Sequence, residues 1–316
     1  MGKLKIFLVG TYVYLRRFFF GVILGRNAYI QKMINMPSQG SDIFDKVDLK
    51  DIIFFLVSLK IRTYNRQEIL KASLSQCLSQ LPPAGKINFR INDSTEDEYF
   101  FSNEVFFKNL PAVSPLIQRT QTRLPGAYYQ FLSQQAEPYC LTLFDDFPIV
   151  GLTEKVLRGS CALLKDFEKL VNVVLIEAID DYDIDHEAKA VNFKKQLELE
   201  RRNIKPLGIV EYFGQKFAIW ENFHFGFFFS TSIVPTKDHA KRLKWYLDNI
   251  SSDNPHKIEL AGHKRRGPVY DYIAVPLGVY RFDLDFEHTE ISIRPPVKKA
   301  EELYKAIKYG YKFISS

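Results

Sequence analysis

The run IIFFLV at residues 52–57 constrains the fold more than any other stretch. It is unbroken, β-branched or aromatic, and shows no polar alternation. Such a strand is covered on both faces, which is the condition inside a mostly parallel sheet. The chain must then supply helices for both faces. The strand is expected over residues 52–59. A helix follows over 66–81, where Leu70, Leu74, Cys77, Leu78 and Leu81 share one face. PPAG ends that helix. KINFRIND then alternates, with Ile87, Phe89 and Ile91 on one side. Strand, helix and strand make a βαβ unit, whose crossover is expected to be right-handed.

Residues 103–137 read as loops and helix. PYCLTLFDDFP reads as a strand closing on two carboxylates. Residues 153–171 read as a helix with Val156, Leu163, Leu164, Phe167 and Leu170 inward, and NVVLIEAI as a short strand. EAKAVNFKKQLELERRN is a charged, helical surface excursion. LGIVEYFGQKFAIWEN is a hairpin with Gly214-Gln215 as its expected turn, because glycine tolerates positive φ. FHFGFFFSTSIV is a strand, and PTKDHAKRLKWYLDNI a helix opening at Pro235 or Thr236. HKIELAGHKRRG reads as a short helix and DYIAVPLGVYRF as a late strand. The expected class is α/β: a mostly parallel central sheet flanked by helices, with a more antiparallel C-terminal half.

The 316 residues are 46% hydrophobic and 15% aromatic, ample for a packed core and against disorder. A net charge of +6 with pI ≈ 8.9 is too mild for a nucleic-acid binder and suits an anionic ligand or membrane surface. Cys77, Cys140 and Cys161 lack CxxC spacing, which points to reduced thiols in the cytoplasm and no zinc site. KLKIFLVGTYVYLRRFFFGVILGR, residues 3–26, places Arg16 and Arg17 mid-segment, against a spanning helix. It has no small-residue cleavage site. It reads either as a peripheral membrane contact or as a helix packed on the protein. Residues 1–50 therefore stand apart from the remainder.

Ligands of open α/β sheets collect beyond the carboxyl ends of the strands. Three expected strand ends carry polar punctuation: IRTYNR, INDSTEDE and LFDDF. Each alone is ordinary turn chemistry. Their order and spacing point to one shared site. The acidic run Asp180, Asp181, Asp183, Asp185 and Glu187 lacks the glycine and spacing of a calcium loop and reads as solvated. GxSxG, Walker, HExxH and GxGxxG motifs are all missing from the sequence.

VSLKIRTYNRQEILKASLSQCLSQ, then INDST, then LTLFDD resembles the nucleotide-binding half of GT-A-fold glycosyltransferases and is similar to glycosyltransferase family 2. The resemblance covers residues 53–171 and divides the domain into a nucleotide-sugar half, 51–180, and an acceptor half, 181–316. It implies a GT-A-like, Rossmann-like fold that moves a sugar from a nucleotide diphosphate-sugar to a hydroxyl of a glycan, lipid-linked or protein acceptor, with inversion. Thr63, Tyr64 and Arg66 would face the nucleotide, with Tyr64 beside uracil or another base. Asp93 would bond the base or ribose. Asp145 and Asp146 would hold Mn²⁺ or Mg²⁺ on the diphosphate, with Asp145 also at the donor. IELAGHKRRGPVYDYIAVPLGVYRF resembles the family's later segment and puts Glu259 at the catalytic base. FEHTE offers His288 as a further metal ligand. Two departures stand out. The acidic motif reads Phe144-Asp145-Asp146, lacking its first carboxylate, and Asn92 replaces the first Asp of DDGS. They support an alternative: a non-catalytic GT-A-like nucleotide- or glycan-binding or scaffold module.

Overall fold

The computed structural model describes residues 48–58, 64–81, 87–93, 97–110, 113–119, 124–144, 148–167, 169–177, 207–221, 231–250 and 272–282. The readings of the N-terminal segment, the acidic run, the charged helix after it and HKIELAGHKRRG lie outside them.

The apolar run forms β1 (Ile52–Ser58). A 3-10 turn capped by Asp48 leads into it, with the Lys50 backbone N–H donating to the Asp48 carboxylate at 3.0 Å. Helix α1 (Tyr64–Ser79) follows, then β2 (Ile87–Asp93) parallel to β1. The inward residues of α1 are those its periodicity predicts: Leu70, Leu74, Cys77 and Leu81 are buried and Leu78 packs against them. Next come α2 (Asp97–Lys108), β3 (Val113–Arg119), α3 (Leu124–Gln134) and β4 (Tyr139–Phe144).

Strand β3 departs from the sequence reading, which has only loops and helix there. Pro115 explains the difference. Proline has no N–H to give a second neighbour, so it is kept out of the interior of central strands but tolerated at an edge. β3 is an edge strand, pairing only with β2 among the described strands.

After β4 come β5 (Ile149–Val150), α4 (Glu154–Asp166), β6 (Leu170–Val174), β7 (Ile176–Glu177), β8 (Gly208–Tyr212), β9 (Gln215–Glu221), β10 (Ser232–Pro235), α5 (Thr236–Ile250), β11 (Tyr272–Pro276) and β12 (Tyr280–Arg281). Helix α4 ends sooner than its apolar pattern suggests. Phe167 leaves helical geometry at φ −124°, ψ 92°, with its N–H on the Leu163 carbonyl, so Leu170 belongs to β6. The hairpin turn is Phe213-Gly214, one residue earlier than expected: Tyr212 pairs with Gln215, and both turn residues have positive φ, 52° and 73°. A two-residue turn of type I′ needs that geometry at both central positions, and here a phenylalanine adopts it. DYIAVPLGVYRF breaks at Leu277-Gly278 into β11 and β12, which join different sheets.

Nine described strands form one sheet in the order β3-β2-β1-β4-β10-β6-β11-β9-β8. The first four are mutually parallel. β10 runs against both β4 and β6, β11 is parallel to β6, and β9 runs against β11 and β8. Both reversed strands therefore fall in the later half, and the fold is α/β with a mostly parallel core. One register row crosses the sheet through Phe89, Phe54, Leu141, Ile233, Val173, Ala274 and Ile219, each 0% exposed. These residues form one apolar cluster with inward residues of α1 and α4. Their strand neighbours Ile53, Phe55, Cys140, Phe144 and Val234 form the other, against α3 and α5. Phe55 stacks on Phe131 at 3.9 Å and on Tyr128 at 5.5 Å. Burying one such ring contributes roughly 1.5–3 kcal/mol.

Candidate functional site

The chain goes from β1 outward to β2 and β3, then returns to place β4 on the other side of β1. That reversal leaves the crevice at which open α/β sheets receive ligands, beyond the carboxyl ends of the strands. The register makes the three central ends flush. Val57 pairs with Asn92 on one side and Phe144 on the other, and Ser58 pairs with Asp93. With strands about 4.8 Å apart, the backbones of Asn92 and Phe144 stand about 10 Å apart across β1. The three polar strand ends in the sequence therefore belong to adjacent strands and leave the sheet along one edge.

Asp93 is the last residue of β2, in register with both Ser58 and Arg119. Tyr64 and Arg66 lie in the first turn of α1, which begins shortly beyond the end of β1. A helix start carries unpaired N–H groups that favour anions. Thr63, Asp145, Asp146, Glu259 and His288 lie outside the described residues. Asp145 follows directly on Phe144 in the chain. Arg119 was missed with its strand: once β3 is in place, register sets it beside Asp93 at the same edge.

The segment after the acidic pair is firmly held. Gln80, just past the end of α1, donates from Nε2 to the Ile149 carbonyl at 3.2 Å and accepts from the Gly151 N–H at 2.6 Å. One side-chain amide thus binds both flanks of Val150. The Phe282 N–H donates to the Pro148 carbonyl at 3.0 Å. β5 pairs with β12, and β12 with β7, in a small second sheet. Its strands each follow closely on the carboxyl end of a large-sheet strand: β5 after β4, β7 after β6, β12 after β11. Gly151 has φ +84°, and a Cβ there would lie 2.2 Å from the Gly278 carbonyl oxygen. Only glycine allows the two turns to come this close.

Behind the edge, the Tyr128 hydroxyl meets Thr142 Oγ1 at 2.6 Å, two residues before Phe144. Burial pushes the Tyr128 phenol well above its ordinary value, with Cys140 adding to the rise and the Thr142 hydrogen bond opposing it. Farther along the sheet, the amide of Asn172 on β6 and the hydroxyl of Thr231, just before β10, are buried with no hydrogen-bond partner among the described residues. Gln67 and Asn103, also buried, tie α1 to α2 through a 2.8 Å bond. No local sequence signal marks the Tyr128–Thr142 and Gln67–Asn103 pairs, because each partner is remote in the chain. Among the described residues, no group of three or more His, Cys, Asp or Glu could hold a metal, and no helix is long and apolar enough to cross a membrane.

No family model matches the chain, and no curated protein matches it. Solved structures similar to it include 4-diphosphocytidyl-2C-methyl-D-erythritol synthase from Anaerococcus prevotii, at 11% identity over 82% of this chain and 98% of that one, with a TM-score of 0.39. S. aureus TarS 1-349 in complex with UDP is similar at 12% identity over 71% of this chain, with a TM-score of 0.39. The mannosyltransferase PcManGT from Pyrobaculum calidifontis, in complex with GDP-Man and Mn²⁺, is similar at 13% identity over 52% of this chain, with a TM-score of 0.33. The chain spans 57% of the TarS chain and 46% of the mannosyltransferase chain.

Proposed function

We propose that this protein is a glycosyltransferase that binds a nucleotide diphosphate-sugar along the carboxyl edge of β2, β1 and β4 and passes the sugar to a hydroxyl acceptor. The observation that carries this reading is the flush register of those strand ends at the chain reversal. It puts the INDST and LTLFDD strands on either side of the strand that leads into IRTYNR, the three motifs on which the sequence resemblance rests. Thr63, Tyr64, Arg66 and Asp93 take the nucleotide. Asp145 and Asp146, with His288, are the residues that would hold Mn²⁺ or Mg²⁺. Carboxylate oxygens suit such hard cations, and a bound cation supplies charge neutralisation for the departing diphosphate. Glu259 takes the acceptor proton, and a single carboxylate base suits displacement with inversion. The acceptor is a glycan, a lipid-linked sugar or a protein.

A screen of nucleotide sugars with Mn²⁺, read out as released nucleoside diphosphate, tests this reading. One donor is expected to turn over. Asp145→Ala and Asp146→Ala are expected to abolish turnover with the urea unfolding midpoint unchanged, and Glu259→Gln to keep donor binding while losing transfer. Parental turnover in both aspartate variants would refute the metal assignment, and unchanged kcat in Glu259→Gln would remove it as base. The Phe144-Asp145-Asp146 departure favours the second reading, a binding module. Nucleotide binding with no turnover of any donor would select that one.

A further inference from the structure

We propose that Gln80 is a positioning residue of the nucleotide site: its side-chain amide fixes the chain that carries Asp145 and Asp146 against the end of α1, and so sets where the diphosphate end of the ligand is held. This deepens the transferase reading and rests on its placement of those two carboxylates. Strand β5 has only 2 residues, too few to hold itself in place. One of its edges is taken by β12: the Phe282 N–H donates to the Pro148 carbonyl at 3.0 Å, and Val150 pairs with Tyr280. Backbone groups of successive strand residues point to opposite edges, so those of Ile149 and Gly151 face away from β12. There Gln80 stands in for a further strand. Its Nε2 donates to the Ile149 carbonyl at 3.2 Å, and its Oε1 accepts from the Gly151 N–H at 2.6 Å.

The amide is held in one orientation. Nε2 also donates to the Gln76 carbonyl at 3.0 Å, in the last turn of α1. Its nitrogen thus faces two carbonyls and its oxygen one N–H, and a reversed amide would set oxygen against oxygen. Beside it the Ile149 and Leu152 side chains are buried in the α1 and α4 cluster. The core fixes those side chains, and Gln80 fixes the backbone between them. Asp145 and Asp146 lie on the short link between two held points, Phe144 in β4, paired with Val57, and Pro148 on Phe282. The other end of α1 carries Tyr64 and Arg66 in its first turn. One 16-residue helix therefore joins residues assigned to the nucleotide to the segment that bears the acidic pair. Positioned groups lose their effect steeply when displaced, even by about 1 Å.

Titration calorimetry on the full chain in Mn²⁺ tests this role. The parent is titrated with UDP, GDP, CDP and ADP, and the tightest of them is compared with its own monophosphate. In Gln80→Ala the diphosphate should bind about tenfold more weakly, while the monophosphate, which meets the Thr63, Tyr64 and Asp93 side, should change by less than about twofold. Gln80→Met keeps the side-chain length without the amide and should behave alike, with parental circular dichroism. Equal weakening of monophosphate and diphosphate would mark a general structural loss and overturn the positioning role. Parental diphosphate affinity in both variants would overturn it and leave the transferase reading standing. A parent that binds none of these diphosphates would overturn that reading, and this role with it.

Discussion

Replacing Gly151 with alanine should destabilise the protein far more than the same change at Gly278, although both glycines have nearly the same backbone angle. Gly151 has φ +84° and Gly278 has φ +80°. A side chain at either pays for the left-handed region, about 1 kcal/mol at the low end of backbone strain. Each substitution also restricts the unfolded chain similarly, so that gain cancels in the comparison. The surroundings differ. At Gly278 an added Cβ meets nothing within 4 Å, whereas at Gly151 it would sit 2.2 Å from the Gly278 carbonyl oxygen. That oxygen is backbone, in the turn leading into β12, and it can withdraw only by loosening the Tyr280–Val150 and Arg281–Ile149 pairs. Overpacking of this kind adds about 1–3 kcal/mol. The expected loss is therefore about 1 kcal/mol for Gly278→Ala and about 3 kcal/mol for Gly151→Ala, against a typical total of about 5–15 kcal/mol. Urea unfolding followed by circular dichroism, with the slope held common, measures both. Equal losses in the two variants would mean that the β5 and β12 turns do not abut, and the account of how the segment after Asp146 is held would fail.

Gln80→Ala removes both amide bonds to the flanks of Val150 and should cost about 1–3 kcal/mol in the same assay; a loss near zero would show those bonds are not made in solution. Phe55→Ala takes a buried ring from its stack on Tyr128 and Phe131 and should cost about 3–5 kcal/mol, measured as a fall in urea midpoint. All three thiols are buried, and burial pushes Cys77 from 9.0 up to about 12 and Cys140 and Cys161 upward as well. The native chain then holds protons that the unfolded chain releases above about pH 9, so stability is full below pH 9 and declines as pH rises beyond it, by up to about 1.4 kcal/mol per group per pH unit. Unfolding midpoints between pH 7 and pH 11 should fall only over the upper part of that range, and a midpoint rising with pH there would contradict the burial.

The sequence shows the first strands clearly because local pattern and tertiary role coincide. IIFFLV has no polar face to turn outward, and it lies in a sheet covered on both sides. KINFRIND alternates, and Ile87, Phe89 and Ile91 point into the α1 and α4 layer. β3 escapes notice because Pro115 speaks against a strand in every position but an edge, and edge position is a property of the whole sheet. The end of α4 is hidden for a related reason. Phe167 and Leu170 continue its apolar spacing, but one caps the helix and the other starts a strand on the same core. The small sheet has two-residue strands whose partners come from remote parts of the chain, so no window of sequence contains it. At the candidate site, the polar strand ends are visible as motifs, and the structure adds their order and register. Arg119 joins them only after β3 is recognised.

Hydrogen–deuterium exchange with and without a nucleoside diphosphate tests the central claim, that these strand ends form one nucleotide-binding edge. Peptides spanning residues 58–66, 92–97 and 144–150 should gain protection together, while the β8–β9 hairpin and α5 stay unchanged. Protection confined to the hairpin or α5, with the three strand-end peptides exchanging as in the free protein, would contradict it.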